Sequence, residues 1–88
     1  MNFNFPATKY VETNGIATQA EHIFSEALEV KQAVLEPNIK HTAEEIMDTL
    51  HSCETGLRIL VLKYGINLAE IRRDVEHKNM KRGYYHEQ

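Results

Sequence analysis

The sequence predicts an all-α fold with three main helices in a single domain. Three observations carry that prediction. Apolar residues recur at alternating steps of three and four over long stretches, capping pairs stand where two of the stretches begin, and proline or glycine stands where they end. A chain of 88 residues has room for one domain. At this length only about 60–65% of the unfolded surface is buried on folding, so the stability margin is thin and association between copies is a common remedy.

Residues 1–14 show no sustained period, and Pro6 with the pair Asn14-Gly15 marks them as a loop or arm. Phe3, Phe5 and Tyr10 within it are expected to pack on this chain or on a partner. The helical domain is expected over 15–82. Its first helix is predicted over 16–36, where Ile16, Ala20, Ile23, Ala27, Val30 and Val34 form a stripe widened by Phe24, Leu28 and Leu35. Pro37 ends it, because the residue before a proline avoids helical geometry.

The second helix is predicted over 43–64, opened by Thr42 and Glu45 in a capping-box pattern and closed by Gly65. Its main stripe is Ala43, Ile46, Met47, Leu50, Cys53, Leu57, Leu60 and Val61, while Ile59 and Leu62 lie opposite. The second half is thus apolar nearly all round, the pattern of a helix buried on several sides. One short chain has few elements to cover such a helix, which implies a subunit interface. The third helix is predicted over 68–81, capped by Asn67 with Glu70 three residues on. Leu68, Ile71 and Val75 form its inner face, and at about 100° per residue Lys78 and Arg82 continue that face. Residues 83–88 read as a short tail.

A net charge of −3 excludes a global basic field, so no nucleic-acid polymer is expected as a partner. No apolar run approaches the ~20 residues that span a bilayer, so no membrane is expected either. Cys53, the single cysteine, excludes an intrachain disulfide and suits a reducing compartment. Residues 1–14 lack the basic start and apolar core of a signal peptide, and a cytoplasmic location is the expectation.

Four acidic residues stand out. Glu26 and Glu29 are three apart on the first helix, and Glu45 and Asp48 three apart on the second. Positions three apart are neighbours on a helix surface, so each pair can present two carboxylates to one point. Antiparallel packing, favoured by a short 37–42 connection, lets the pairs face each other. Four carboxylates so close would repel and hold protons unless a cation sat among them. Oxygen-only ligands suit Mg²⁺ or Mn²⁺ rather than Zn²⁺. From spacing alone, such glutamates are most often a solvated helix face. However, Glu45 and Asp48 share a side with Ser52, Ile59 and Leu62, which reads as a second buried surface.

Glu26-Ala27-Leu28-Glu29, fifteen intervening residues, then Glu45-Ile46-Met47-Asp48 resembles the ExxE…ExxD signature of the MazG-like, all-α nucleotide pyrophosphohydrolases. Gly15-Ile16 and Gln19 resemble the lead-in to the first helix of that group. Asn67-Leu68 opens the third helix, and Lys78-Asn79 with Arg82-Gly83 resembles its K-N-x-x-R-G ending. The likeness covers roughly residues 15–85. One position departs from it: many MazG proteins carry a further Glu directly before the first motif glutamate, and here that position is Ser25.

The resemblance implies an enzyme that cleaves a nucleoside triphosphate between the α and β phosphates, giving a monophosphate and pyrophosphate. It implies Glu26, Glu29, Glu45 and Asp48 as catalytic ligands of Mg²⁺, with Mn²⁺ an alternative. Lys78 and Arg82 would supply positive charge to the phosphates, Asn79 would hydrogen-bond substrate or fix a neighbouring carboxylate, and Gln19 would touch sugar or base. It further implies a homodimer or homotetramer in which helices of two subunits form a four-helix-bundle-like core. Two rivals stand beside it: a HisE-like hydrolase of phosphoribosyl-ATP, and a non-catalytic helical dimer that senses a nucleotide or binds a protein. Cys53 reads as core. His22 neighbours Glu26 at i+4 but reads first as a surface histidine, and Tyr84 and Tyr85 read as packing or interface residues.

Overall fold

The computed structural model describes residues 3–86, and all regular structure among them is helical. The elements are α1 (Tyr10–Thr13), α2 (Ile16–Ala33), α3 (Ile39–Tyr64) and α4 (Leu68–Lys81). The last three are the expected helices. α1 is a single turn inside the segment read as loop or arm, with the Val11 N–H donating to the Thr8 carbonyl at 3.2 Å and the Val11 side chain buried. The outer ends of the arm and tail, 1–2 and 87–88, lie outside the described residues.

Two boundaries differ from the sequence reading. α2 stops at Ala33 rather than at residue 36. The N–H groups of Leu35 and Glu36 bond to the carbonyls three residues back, Gln32 and Ala33, so the chain leaves the helix through a tightened turn before Pro37. α3 starts at Ile39, not at residue 43, because Asn38 is an equally good cap and comes first: its side chain accepts from the His41 N–H at 3.1 Å. Thr42 is therefore inside the helix, and its hydroxyl donates to the Ala33 carbonyl at 3.3 Å, joining the end of α2 to the start of α3. At the far end Gly65 adopts φ 65°, a left-handed conformation that glycine takes without steric cost, and its N–H closes on the Val61 carbonyl. Asn67 caps α4 as expected, accepting from the Glu70 N–H at 3.2 Å.

α2 and α3 run antiparallel. Their contacts descend along one helix as they rise along the other: Ala33 with Thr42, Gln19 with Ser52, Ile16 near Gly56. The α3 face that meets α2 carries Glu45, Ser52 and Gly56. Ser52, Thr55 and Gly56 are buried, and Ile59, fully buried, continues the same side. The bulkier stripe expected to be the main one is left outside. Ile46 and Met47 are each 51% exposed, and on α2 Phe24 is 66% exposed. Leu62, grouped with Ile59 in the sequence reading, is exposed as well. Ser52 and Gly56 let the helices approach closely, and Ile16, Ile23 and Gln19 of α2 fill the room they leave.

α4 packs little on the hairpin. Only Leu68 is buried, while Ile71 and Val75 of the expected inner face are exposed. The molecule measures 42 × 40 × 21 Å, so it is a plate about two helices thick.

The segment 3–8 is strapped along α3. The Asn4 N–H donates to both Glu54 carboxylate oxygens at 3.0 Å, and the Phe5 N–H to Oε1 at 2.9 Å. Arg58 Nη2 donates to the Phe5 carbonyl at 2.8 Å, and its guanidinium lies 4.1 Å from the centre of the Phe3 ring. Phe5 stacks on His51 with ring centres 4.5 Å apart, and His51 Nε2 donates to the Pro6 carbonyl at 3.2 Å. Burial pushes the Glu54 carboxyl up. The hydrogen bonds from Asn4 and Phe5 and the charge of Arg58 outweigh it and hold the group below its ordinary value.

Because that value is depressed on folding, the stability Glu54 contributes is complete above the ordinary glutamate range and disappears as pH falls through the folded-state value. Urea denaturation of Glu54→Ala at pH 7 is expected to show a loss of about 1.5–3 kcal/mol, the range for hydrogen bonds to a charged acceptor. The gap from the parent protein is expected to close in strong acid, and a gap independent of pH would contradict the assignment.

Candidate functional site

The antiparallel hairpin brings Glu26 and Glu29 of α2 against Glu45 of α3. One carboxylate oxygen from each lies within 4.8 Å of the other two. Glu26 is anchored by His22, whose Nε2 stands 3.0 Å from Glu26 Oε1 across one helical turn, so the histidine read first as surface is the direct partner of a site carboxylate. His41 Nε2 stands 3.8 Å from both Glu45 Oε1 and Glu36 Oε2.

Glu45 is the strained member. Its Oε2 is buried with no hydrogen-bond partner when the group is ionised. Burial, then a hydrogen bond and like charge from Glu29, then the charge of Asp48 raise its pKa above the ordinary value, and His41 opposes them. A convergent, oxygen-only set with an orphaned buried oxygen fits a hard divalent cation, which would satisfy that oxygen and relieve the repulsion.

Asp48, the fourth predicted carboxylate, is exposed and stands outside this convergent trio. With Glu26 it lines an adjoining cavity of about 250 Å³. Thr8 and Tyr10 close one side of that cavity, and His51, Ser52 and Thr55 of α3 form its floor.

Gln19 also borders the cavity but is only 1% exposed, and its amide is committed within the protein. Nε2 donates to the Ser52 carbonyl and hydroxyl, both at 3.0 Å, and Oε1 accepts from Asn14 Nδ2 at 2.9 Å. Its position is that of a wall tie between the two helices.

Lys78 and Arg82 line a separate hollow on α4 with Asp74, His77 and Lys81, sharing no residue with the carboxylate site. Asn79 is half-buried at the end of α4, where its carbonyl accepts from the Tyr84 N–H at 3.0 Å. Within one chain, the basic ending and the carboxylates are not gathered into one cavity. Tyr84 and Tyr85 are exposed. Cys53 is half-buried on the outer side of α3, and burial raises its thiol pKa, which makes it a poor nucleophile.

The sequence reading missed Glu54, Arg58, His51 and Thr8. The i,i+4 spacing of Glu54 and Arg58 was visible, but their partners lie about fifty residues away in the chain. No protein-family model matches this chain, and no curated protein or solved structure matches it either.

Removing one charge from the trio tests its electrostatics. Glu45→Gln is expected to raise the thermal midpoint in chelator, since the raised pKa marks an ionised group that the fold disfavours. Mg²⁺ at a hundredfold its dissociation constant is expected to stabilise the parent by about 2.7 kcal/mol and the variant far less. Equal Mg²⁺ responses would remove Glu45 from the ligand set.

Proposed function

We propose that the chain is a Mg²⁺-dependent nucleoside triphosphate pyrophosphohydrolase of the MazG-like type, releasing a nucleoside monophosphate and pyrophosphate. The observation that carries this reading is the convergence of Glu26, Glu29 and Glu45 within 4.8 Å, at the ExxE…ExxD spacing, with a buried oxygen lacking a partner.

Glu26, Glu29 and Glu45 would hold the cation, with Asp48 one turn beyond Glu45 completing the set from the cavity edge. Bound there, the cation would neutralise phosphate charge and lower the pKa of a coordinated water. The His22 contact keeps Glu26 oriented. Glu29, the exposed member of the trio, has room to accept a proton from an attacking water. Lys78 and Arg82 would place positive charge on the phosphates, Arg82 through its two-pronged guanidinium. Since α4 holds them away from their own chain's cavity, that role belongs to the assembled protein. In the same reading the setting is cytoplasmic. Among the described residues no helix is long and apolar enough to cross a membrane.

Association is part of the proposal. Phe24, Leu28, Ile46, Met47 and Leu50 form an exposed apolar face across the outer side of α2 and α3, next to a groove lined by Ala27 and Cys53. Few hydrophobic side chains are fully buried within the chain. A second copy laid on this face would supply the missing core as a four-helix arrangement. Light scattering is expected to give a dimer or tetramer at micromolar concentration, and Ile46→Glu with Leu50→Glu to give unfolded or monomeric protein. A folded, monomeric parent would refute the assembly.

Turnover decides the chemistry. Across a panel of normal, deoxy and modified triphosphates, at least one is expected to yield monophosphate and pyrophosphate in a chelator-sensitive reaction. Asp48→Asn is expected to lower kcat by at least about tenfold, because a lost carboxylate ligand weakens metal affinity or activity on that scale or more. Ser25, where many MazG proteins have an acid, and the position of Asp48 outside the trio favour a second reading, a helical dimer that binds nucleotide without cleaving it. Binding with no product from any triphosphate would establish that one instead.

A further inference from the structure

The cavity beside the carboxylates is walled by a segment outside the acidic motifs. We propose that the strap and α1 form the outer wall of a nucleoside-binding cavity, with Glu54 and Arg58 as positioning residues that hold Thr8 and Tyr10 in place. This deepens the pyrophosphohydrolase reading above and rests on it, assigning to the cavity the base-and-sugar end of that substrate.

Size and chemistry select the ligand. At about 250 Å³ the cavity is below the ~300–1,000 Å³ of sites that enclose drug-sized ligands, so it takes one end of a nucleotide rather than the whole. Its lining carries the hydroxyls of Thr8, Ser52 and Thr55 and the rings of Tyr10, His22 and His51. Thr55 donates to the His51 carbonyl and Ser52 accepts from Gln19, which leaves the Ser52 proton and the free lone pair of Thr8 for a ligand. These suit a planar heterocycle and sugar hydroxyls, which need polar edges and a ring face. Glu26 and Asp48 on the same wall repel a bare phosphate. Glu26 belongs both to this cavity and to the carboxylate trio, so a base seated here presents its phosphates toward the trio.

The latch explains how an arm without regular structure can serve as a wall. Glu54, Arg58 and His51 bond to strap backbone atoms: the N–H groups of Asn4 and Phe5 and the carbonyls of Phe5 and Pro6. They fix the path of the chain whatever its side chains. His51 links latch to cavity directly, since it stacks on Phe5, meets Pro6 and lines the cavity. Thr8 follows two residues on, its hydroxyl 3.3 Å from that of Thr55. Releasing the latch would free Thr8 and the His51 ring together.

The test compares nucleoside triphosphate with inorganic tripolyphosphate, which has no nucleoside end, in the full chain and in Thr8→Val, Glu54→Ala and Glu54→Gln. Loss of a contact worth one hydrogen bond is expected to raise KM for the nucleotide about three- to tenfold in Thr8→Val and Glu54→Ala, with kcat nearly unchanged. Glu54→Gln, which keeps an acceptor, is expected to recover part of the loss. KM for tripolyphosphate is expected to stay constant. A nucleotide KM unmoved in these variants, or a tripolyphosphate KM rising in parallel, would overturn the proposal. Titration of the parent with nucleoside monophosphates, followed by amide shifts, separates the two readings. Shifts at Thr8, Tyr10, His51 and Ser52 without turnover of any triphosphate would uphold the cavity and defeat the hydrolase. Turnover without those shifts would overturn the cavity alone.

Discussion

Everything distinctive about this molecule follows from how closely α2 and α3 lie against each other along a seam of small and polar side chains. Gln19 reaches across to Ser52, Thr42 ties back to Ala33, and Gly56 leaves room for Ile16 and Ile23. The same seam, followed toward the loop end of the hairpin, sets Glu45 opposite Glu26 and Glu29. Helix packing that is favourable at one end therefore enforces an unfavourable meeting of carboxylates at the other. The raised pKa of Glu45 and its unpartnered oxygen are the local cost of that arrangement. A cation bound among the three carboxylates would offset that cost.

The seam also determines what is left outside. By using small residues between α2 and α3, the chain turns Phe24, Ile46, Met47 and Leu50 outward. Its own core is correspondingly thin: among the described residues Ile59, Ala33, Val11 and Leu68 are the buried hydrophobic ones. The strap adds order by polar means, through a carboxylate and a guanidinium that grip backbone atoms. Polar ties of this kind give direction and register, and burial of the outer apolar face would add the larger share of hydrophobic stabilisation.

Much of the fold was legible from local chemistry. Three helices, the Asn67 cap and the Gly65 terminator follow from rules that act within a few residues. The start of α3 was misread because Asn38 and Thr42 are both competent caps, and the earlier one takes the chain first. Which stripe of α3 lies inside was not legible. Periodicity marks the apolar face, but close approach between helices is decided by side-chain size, and Ser52 and Gly56 took that position. Of the site, the i,i+3 spacing and a short connection allowed the carboxylates to meet, but spacing alone reads as a solvated face, and the ExxE…ExxD resemblance is what singled them out. Asp48 stands outside the trio, on the adjoining cavity with Glu26 and Ser52, and its i,i+3 spacing from Glu45 gave no sign of that. The strap was out of reach of pattern reading, since Glu54 and its partners Asn4 and Phe5 are joined by the tertiary fold and by nothing local.

The central claim is that carboxylates of two helices meet around one divalent ion. Anomalous diffraction from a crystal grown with Mn²⁺ locates such an ion directly. The account predicts a single strong peak bounded by oxygens of Glu26, Glu29 and Glu45. Crystals saturated with Mn²⁺ that show no peak there, with the three side chains turned apart into solvent, would contradict it.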